Sequence, residues 1–263
     1  MEVVRTLREA GFEALLAGGC VRDMLLGLAP TDHDVATNAT PEQVAALFKR
    51  VLMVGAKFGV AMVVRRRRTV EVATFRDDLS YADGRRPTGV RFSSPRQDAL
   101  RRDFTINGMF YDPIAEQVID YVGGQEDLRA GIVRAIGDPD RRMAEDYLRL
   151  LRAVRFAARF DFVIETATAE AVRRHAAHLT RISGERIRDE LEKMLAGPNA
   201  AAAVRQMHGL GLAEPVFGPA IVAEASWQAI LGRLDLLADQ RDPVLSLACI
   251  LADADARTIR RLC

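Results

Sequence analysis

Apolar and polar residues follow different patterns in the two parts of the chain. Short runs rich in β-branched residues dominate the first part, whereas from Asp138 onward the apolar residues recur at helical spacing. Thr40-Pro41 opens a helix, because threonine is a good cap and proline suits the first helical position. Strands are predicted at residues 13–16, 51–54, 60–64 and 70–74, and a first helix at 2–10. The predicted fold class is α+β, with a mixed β-sheet and flanking helices in an N-terminal head, followed by an all-helical neck and body.

The clearest amphipathic pattern predicts a single helix over residues 143–160. Its apolar face comprises Leu150, Leu151, Val154 and Ala158. A polar stripe lies beside that face and comprises Asp146, Arg149, Arg152 and Arg155. Taken alone, this stripe predicts a solvated helix face with internal salt bridges.

Composition and charge limit the classes of function that this chain can have. The chain has 263 residues, 49% of them hydrophobic, which is enough for a sizeable core and more than one domain. Its 37 basic and 36 acidic residues give a net charge of +1, so any contact with nucleic acid depends on local clusters. Three cysteines without a CxxC pair exclude a disulfide framework and a cysteine zinc site. No secretory signal and no apolar run of about 18 residues is present, so we expect a cytoplasmic protein without membrane contact.

A glycine pair, Gly18-Gly19, separates an apolar run from a short helical pattern. A strand, a tight glycine turn and a helix N-terminus allow backbone N–H groups to approach an anion closely. Arg22 adds a forked, permanently charged donor for phosphate. A glycine pair by itself usually marks only a turn, so the phosphate hypothesis depends on the residues that follow.

Two carboxylates follow a few residues later. Residues two apart on an extended strand point the same way, so Asp32 and Asp34 are predicted to face one site, with His33 on the other side. Mg²⁺ is commonly held by one or two carboxylates together with substrate phosphates. The sequence therefore predicts nucleotide chemistry, with Asp32 and Asp34 as metal ligands.

The order GGxVRDxLLG followed by DxD-x-AT resembles the active-site signature of class II tRNA nucleotidyltransferases (CCA-adding enzymes) and bacterial poly(A) polymerases. This resemblance implies that Gly18, Gly19 and Arg22 hold a triphosphate. In that family a third carboxylate joins the acidic pair, and EVATFR, which contains Glu71, is similar to the corresponding segment. An exposed surface glutamate is the alternative at this position. The four arginines at 65–68 are predicted to form a solvated hairpin turn rather than a phosphate contact.

Two further segments resemble motifs of the same family. Residues 101–107, RRDFTIN, match a motif whose arginine and aspartate contact the nucleotide's phosphates and ribose, which implies binding roles for Arg102, Asp103 and Asn107. Residues 76–95 are predicted to form a long polar loop. Within it, DxxYxDGRRP at 78–87 looks like the flexible loop that CCA-adding enzymes need for the final adenosine step.

The polar stripe of the predicted helix also resembles a family motif. EDxxRxxRxxRF is similar to the motif whose acidic residue and arginine hydrogen-bond the edge of the incoming base. A carboxylate accepts from the exocyclic amine shared by C and A, and a guanidinium donates to ring acceptors. The resemblance implies base selection by Asp146 and Arg149, with Arg152 and Arg155 in the same nucleotide-binding motif. The segment SxERIxxEL at 183–191 resembles a motif that braces this helix.

The predicted domains are a catalytic head at 1–112, a helical neck with the base-selecting helix at 113–180, and a helical body at 181–263. Gly123-Gly124 is a predicted flexing point between head and neck. Family members usually run longer, so we expect a further C-terminal, RNA-gripping part after Cys263. His175 and His178 are not expected to bind a metal, because no further ligands are arranged around them.

The predicted function is template-independent transfer of CMP and AMP from CTP and ATP to the 3′ end of tRNA, with release of pyrophosphate. Two Mg²⁺ ions are expected at Asp32 and Asp34, with Glu71 as the third catalytic carboxylate. A poly(A) polymerase or A-only enzyme on the same scaffold is the alternative. A non-catalytic RNA- or nucleotide-binding module is a weaker one, because a pure binder gains nothing from carboxylates facing a phosphodiester. The oligomeric state stays open.

Overall fold

The computed structural model describes residues 1–65, 68–78, 89–237, 241–255 and 259. These residues divide into two compact units. The first contains the described residues up to Ala130 together with Ala135–Gly137, and the second contains Gly131–Arg134 and the residues from Asp138 onward. The sequence-based boundary at residue 112 lies inside the first unit, because the chain just after it completes the sheet of that unit.

A mixed sheet forms the centre of the first unit. In the described part of the chain, the first strands of this sheet are β1 (Ala14–Ala17), β2 (Val35–Thr37), β3 (Val51–Leu52), β4 (Val60–Arg65) and β5 (Arg68–Thr74). The next two strands, β6 (Arg76–Asp78) and β7 (Val90–Phe92), form a separate hairpin. The sheet is completed by β8 (Phe110–Asp112) and β9 (Gln117–Ile119). The strand order is β3-β4-β5-β2-β1-β8-β9. Only β2 and β5 pair in parallel, and the other described pairs of this sheet are antiparallel. The predicted mixed sheet is therefore confirmed.

Helices flank this sheet and fix its edges. They are α1 (Glu2–Glu9), α2 (Gly19–Leu25), α3 (Pro41–Leu47), α4 (Pro95–Leu100) and α5 (Gly124–Ala130), with 3-10 turns at Ala56–Phe58 and Thr105–Asn107. Thr40 caps α3 as predicted, and its side chain and that of Gln43 each accept from the other's backbone N–H. All four residues of β1 are buried, and the rings of Phe75 and Phe110 meet edge-on at 5.9 Å in the core.

The second unit is mainly helical. Its elements are β10 (Ile132–Val133), α6 (Pro139–Glu145), α7 (Leu148–Phe160), β11 (Val163–Ile164), α8 (Thr166–His175), a 3-10 helix at Ala176–Arg181, α9 (Gly184–Leu195), α10 (Ala200–Gly209), α11 (Ala213–Phe217), α12 (Glu224–Asp235) and α13 (Pro243–Leu251). The parallel pair of β10 and β11 is a small exception to the predicted all-helical remainder. Of the described helices, none has the length and apolar character needed to cross a bilayer.

The helix predicted over 143–160 is interrupted in the structure. α6 ends at Glu145, and Asp146 has an extended backbone, with φ of −150° and ψ of 107°. The carboxylate of Asp146 accepts from the N–H of Leu148 at 3.1 Å, which starts α7 as a separate helix. Helical periodicity alone misses this break, because the apolar spacing continues across it.

One prediction about loops needs correction, and a second is confirmed as far as the described residues extend. The ends of the predicted loop at 76–95 pair with each other as β6 and β7, and α4 already begins at Pro95. Apart from Asp78, the DxxYxDGRRP motif lies outside the described residues. β4 and β5 form the predicted hairpin, although its two turn residues, 66 and 67, also lie outside the described residues.

Gly123-Gly124, the predicted flexing point, lies within the first unit, where Gly124 is closely packed. The carboxylate of Asp120 accepts from the backbone N–H groups of Val122, Gly124 and Gln125. A Cβ at Gly124 would lie 2.3 Å from the carbonyl oxygen of Thr105. The start of α5 is therefore packed directly against the RRDFTIN segment.

Candidate active site

The glycine turn after β1 brings the backbone close to Arg102. Gly18 has φ of +72°, which residues other than glycine rarely adopt. Its N–H donates to the carbonyl oxygen of Met109 at 3.1 Å. A Cβ at position 18 would lie only 2.7 Å from Nη1 of Arg102, whereas a Cβ at Gly19 would make an ordinary 3.5 Å contact with Arg22. The first glycine is therefore required both for its backbone conformation and for the space that it leaves to Arg102.

Arg102 is held in place by a buried carboxylate, that of Asp98. One oxygen of Asp98 accepts from Nε and Nη2 of Arg102 at 3.2 and 2.9 Å, and the other accepts from Arg101 at 2.9 and 2.7 Å. Burial alone would raise the pKa of Asp98, but the two neighbouring arginines together hold that pKa below its usual value. The side chain of Arg102 stays 18% exposed, so a fixed positive charge lies at the glycine turn and in reach of solvent.

Asp34 and Glu71 lie next to each other at the start of the parallel strand pair. Val35 of β2 is opposite Val72 of β5, so the residues one position earlier are neighbours and both point away from the buried valines. Burial raises the pKa of Asp34. The positive charge of Arg102 lowers this pKa, whereas the negative charge of Asp32 raises it further. Partial burial also raises the pKa of Glu71, and the negative charge of Asp34 adds to this effect. Two carboxylates that repel each other in this way favour a bound cation.

Asp32 lies outside regular secondary structure, contrary to the prediction that the acidic pair is on a strand. β2 begins only at Val35, and residues 32–34 precede it. Asp32 is exposed, and its described hydrogen bond comes from the hydroxyl of Thr31 at 3.5 Å. Its influence on the pKa of Asp34 nevertheless places the two charges near each other.

The three carboxylates suit a Mg²⁺ ion to which a substrate contributes further oxygen ligands. Among the described residues, no group of three or more histidine, cysteine, aspartate or glutamate side chains is arranged to hold a metal ion. Mg²⁺, however, usually takes only one or two protein carboxylates and completes its shell with phosphate oxygens and water. Asp34 and Glu71, whose charges repel each other, meet that requirement, with Asp32 nearby.

Arg22 is buried in a hydrogen-bond network within the first unit. Its Nε and Nη2 donate to Asp23 at 2.8 and 2.6 Å, and its Nη1 donates to Oδ1 of Asn107 at 2.6 Å. The amide of Asn107 in turn donates to Asp103 at 3.0 Å, and Asp103 also accepts from the N–H of Phe104 at 2.8 Å. Arg22 is only 3% exposed, so it joins α2 to the RRDFTIN segment instead of presenting its fork to solvent.

The predicted base-selecting residues lie in the second unit, at the break between α6 and α7. Asp146 accepts from Nη1 and Nη2 of Arg186 at 3.2 and 2.8 Å. Arg149 is 8% exposed and donates to Glu145 at 2.6 Å and to the carbonyl oxygen of Arg142 at 2.8 Å. Both side chains are thus oriented by partners in their own unit, and carboxylate and guanidinium groups can each form several hydrogen bonds at once.

The other two arginines of the polar stripe meet Glu190 of α9. Nε of Arg155 donates to Glu190 at 2.6 Å, and both side chains are buried. Arg152 lies 3.9 Å from the second oxygen of Glu190 and is partly exposed. The guanidinium of Arg155 also lies over the ring of Phe156, 4.2 Å from its centroid. These contacts join α7 to α9, so the stripe is not the solvated face that periodicity alone predicts.

Asp98 and Glu190 are the acidic residues that the sequence interpretation missed. Asp98 precedes Arg101 and Arg102 by three and four positions, a helical spacing that brings opposite charges together and could have identified it. Glu190 pairs with a residue 35 positions away, which no local spacing reveals. Its only sequence signal is its place in the SxERIxxEL segment, for which a bracing role was predicted.

Family comparisons match two stretches of the chain. Residues 14–134 match the Poly A polymerase head domain. Residues 161–224 match the probable RNA and SrmB-binding site of polymerase A. The first match covers the glycine turn, the three carboxylates and the RRDFTIN segment.

Individual relatives are similar over most of the chain. It is 42% identical to poly(A) polymerase I of Salmonella typhi over 228 residues, which cover 82% of this chain and 49% of that protein. It is 43% identical to the CCA-adding enzyme of Limosilactobacillus reuteri over 211 residues, or 80% of this chain and 52% of that protein. The crystal structure of the Bacillus stearothermophilus CCA-adding enzyme in complex with CTP is 35% identical, with a TM-score of 0.84 over 99% of this chain and 64% of that one. The chain spans about half the length of the curated relatives it matches.

Proposed function

Because the chain belongs to the family of class II tRNA nucleotidyltransferases and bacterial poly(A) polymerases, we propose that it transfers CMP and AMP from CTP and ATP to the 3′ end of tRNA. The reaction is independent of a template and releases pyrophosphate. The observation that carries this proposal is the neighbouring pair of Asp34 and Glu71, with the fixed charge of Arg102 beside the Gly18 turn. Carboxylates and a guanidinium in this arrangement suit a nucleoside triphosphate and a cation together.

Each group of the first unit has a role in this proposal. Asp32, Asp34 and Glu71 would hold two Mg²⁺ ions, which when bound activate the RNA 3′-hydroxyl and stabilise the departing pyrophosphate. Arg102 binds the triphosphate, and Asp98 keeps its guanidinium oriented. Asp103 accepts from the ribose hydroxyls. Arg22 acts through Asn107, which it holds against Asp103, and so positions the nucleotide-binding segment.

Base selection is assigned to Asp146 and Arg149. The carboxylate accepts from the exocyclic amine that cytosine and adenine share, and the guanidinium donates to a ring acceptor. Uracil and guanine do not present that pattern, so they are rejected without a nucleic-acid template. Arg152 and Arg155 support this site through Glu190, which ties α7 to α9.

Poly(A) synthesis or A-only addition on the same scaffold is the second candidate. The 42% identity with poly(A) polymerase I is almost the same as the identity with the CCA-adding enzymes, so overall similarity does not separate the two activities. The same residues of the first unit serve both reactions.

Incubation with labelled nucleotides tests the proposal directly. The protein is given tRNA that ends just before CCA, together with Mg²⁺ and either CTP, ATP or both. Incorporation of CTP followed by a single AMP supports CCA addition, whereas long tails from ATP alone support the second candidate. A properly folded chain that incorporates neither nucleotide contradicts both.

A further inference from the structure

Two exposed phenylalanines lie close together on the first unit. Phe58 ends a 3-10 turn and is 40% exposed, and Phe92 on β7 is 48% exposed. Gly59 follows Phe58 with φ of +77°, and its missing side chain leaves room for the second ring. A Cβ at Gly59 would lie 3.1 Å from Cε1 of Phe92. We call Phe58 and Phe92 the aromatic platform.

Arg76 brings positive charge to the aromatic platform. Lys57, which precedes Phe58, is exposed, whereas Arg91 is paired with Asp77 and, as the neighbour of Phe92 on β7, points to the opposite face of the hairpin. Arg76 is the direct cross-strand partner of Phe92, so their side chains lie on the same face of the hairpin. Arg76 also donates a hydrogen bond to the carbonyl oxygen of Phe58. Aromatic rings interleaved with cations are typical of surfaces that bind single-stranded nucleic acid.

The aromatic platform is connected to the carboxylates through Arg76. The charge of Arg76 acts on Glu71, where it opposes the effects of burial and of Asp34 on the pKa of that carboxyl. The backbone also joins the two groups, because the N–H of Thr74, three positions after Glu71 on β5, donates to the carbonyl oxygen of Gly59 at 2.7 Å. RNA held at the two rings would therefore lie beside the strand that carries Glu71.

We propose that Phe58 and Phe92 stack against the unpaired bases at the 3′ end of the acceptor RNA and present its terminal hydroxyl to Asp34 and Glu71. This inference rests on the proposed function and names the residues that hold the acceptor strand. Stacking tolerates every base, because each has a π face, and this suits an acceptor whose last base changes as nucleotides are added. Lys57 and Arg76 supply charge for the backbone phosphates.

The test compares ring removal with ring retention in the full chain. The variants are Phe58→Leu, Phe92→Leu and Phe92→Tyr, with Tyr121→Leu as the control, since Tyr121 is 42% exposed on the same unit but outside the platform. Binding of a fluorescent RNA with an unpaired 3′ CC end is measured by anisotropy without nucleotide. Each leucine variant should bind the RNA about tenfold more weakly, whereas Phe92→Tyr and the control should bind like the wild type. In transfer assays the KM for RNA should rise and the KM for CTP should stay unchanged.

The outcomes separate this inference from the proposed function. Unchanged RNA affinity in both leucine variants would overturn the aromatic platform while leaving nucleotide transfer by the wild type intact. A wild type that binds RNA through the two rings but incorporates no nucleotide would support the platform and contradict the proposed function. A self-association that disappears in the leucine variants, with RNA affinity retained, would assign the surface to a second copy of the chain and overturn the inference.

Discussion

At the scale of single residues, the candidate site depends on carboxylates whose surroundings make ionisation less favourable than in water. Asp34 is half-buried and Glu71 is exposed at its end of the strand pair, their negative charges repel each other, and the pKa of each is raised. The positive charge of Arg102 acts on both carboxylates and offsets part of this effect. The arrangement therefore favours a bound metal over two bare negative charges.

Replacing Asp34 with asparagine should reduce nucleotide transfer by several orders of magnitude, because the neutral amide is a much weaker ligand for Mg²⁺. Steady-state rates with CTP and saturating Mg²⁺ measure the effect. The control is Asp235→Asn, an exposed carboxylate on α12 that pairs with Arg205. Near-normal turnover by Asp34→Asn would remove this residue from the proposed metal site.

Replacing Glu71 with glutamine should stabilise the metal-free protein at neutral pH. A carboxyl group whose pKa is raised by folding binds its proton more tightly in the folded chain, so its ionisation costs stability as the pH rises above the ordinary value of 4.5. The variant lacks this cost, and its melting temperature in a chelator should exceed that of the wild type at pH 7 but not at about pH 3. Exposed Glu192→Gln serves as the control. Equal melting of Glu71→Gln and wild type at both pH values would contradict the assigned electrostatics.

At the scale of elements, two short connections place the functional side chains. The turn between β1 and α2 makes room for Arg102, and at the break between α6 and α7 Asp146 has an extended backbone and its carboxylate pairs with Arg186. Neither connection is longer than a few residues, so a single substitution can test each.

Gly18→Ala should combine backbone strain with displacement of Arg102. The control is Gly27→Ala, because Gly27 has a similar φ of +70° but a Cβ there would have no neighbouring atom within 4 Å. Both variants should lose about 1–3 kcal/mol of unfolding free energy, because residues with a side chain rarely adopt a positive φ. Only Gly18→Ala should also raise the KM for nucleotide, by about tenfold. Equal KM values in the two variants would show that the close approach of Arg102 has no role in binding.

Asp146→Ala should relax base selection rather than slow every nucleotide equally. Loss of one hydrogen-bond partner in a buried site costs about 1–3 kcal/mol, or one to two decades of discrimination. The ratios of kcat/KM for CTP over UTP and for ATP over GTP provide the measurement. Arg186→Met, which removes the partner that orients Asp146, should change these ratios in the same direction by a smaller factor. A uniform decrease for all four nucleotides would assign the break a purely structural role.

At the scale of the whole molecule, the candidate chemistry is divided between the two units. The carboxylates and Arg102 belong to the first unit, and Asp146 and Arg149 belong to the second. Interactions within each unit contribute to the orientation of these groups, as the pairs of Arg102 with Asp98 and Arg149 with Glu145 show.

Shortening residues 78–87 should separate the two nucleotide specificities. If this segment acts like the flexible loop of CCA-adding enzymes, the shortened protein still incorporates CTP but stops before adenosine. Gel analysis of tRNA products at single-nucleotide resolution distinguishes the two steps, and a deletion within the connection between α12 and α13 is the control. Complete CCA addition by the shortened protein would show that the resemblance of this segment does not extend to function.

Local patterns in the sequence determined the type of most elements and the candidate chemistry. Alternating β-branched residues identified β4 and β5, and Thr40-Pro41 identified the start of α3, because both signals depend on neighbouring residues only. The order of the glycine turn, the acidic pair and RRDFTIN was sufficient to recognise the family. The position of Glu71 beside Asp34 was also foreseen, although only through the resemblance.

Tertiary structure alone decided which partners these side chains have. Arg22, a predicted phosphate ligand, and Asn107 are 85 positions apart, yet their hydrogen bond makes Arg22 a buried link between α2 and the RRDFTIN segment. Glu190 likewise converts Arg155 from a residue on a solvated stripe into half of a buried ion pair. Spacing along the chain predicts which side chains share one face of a helix or strand, because the geometry of the element determines that arrangement. It does not predict which element packs against another, since that depends on how the whole core fills its volume.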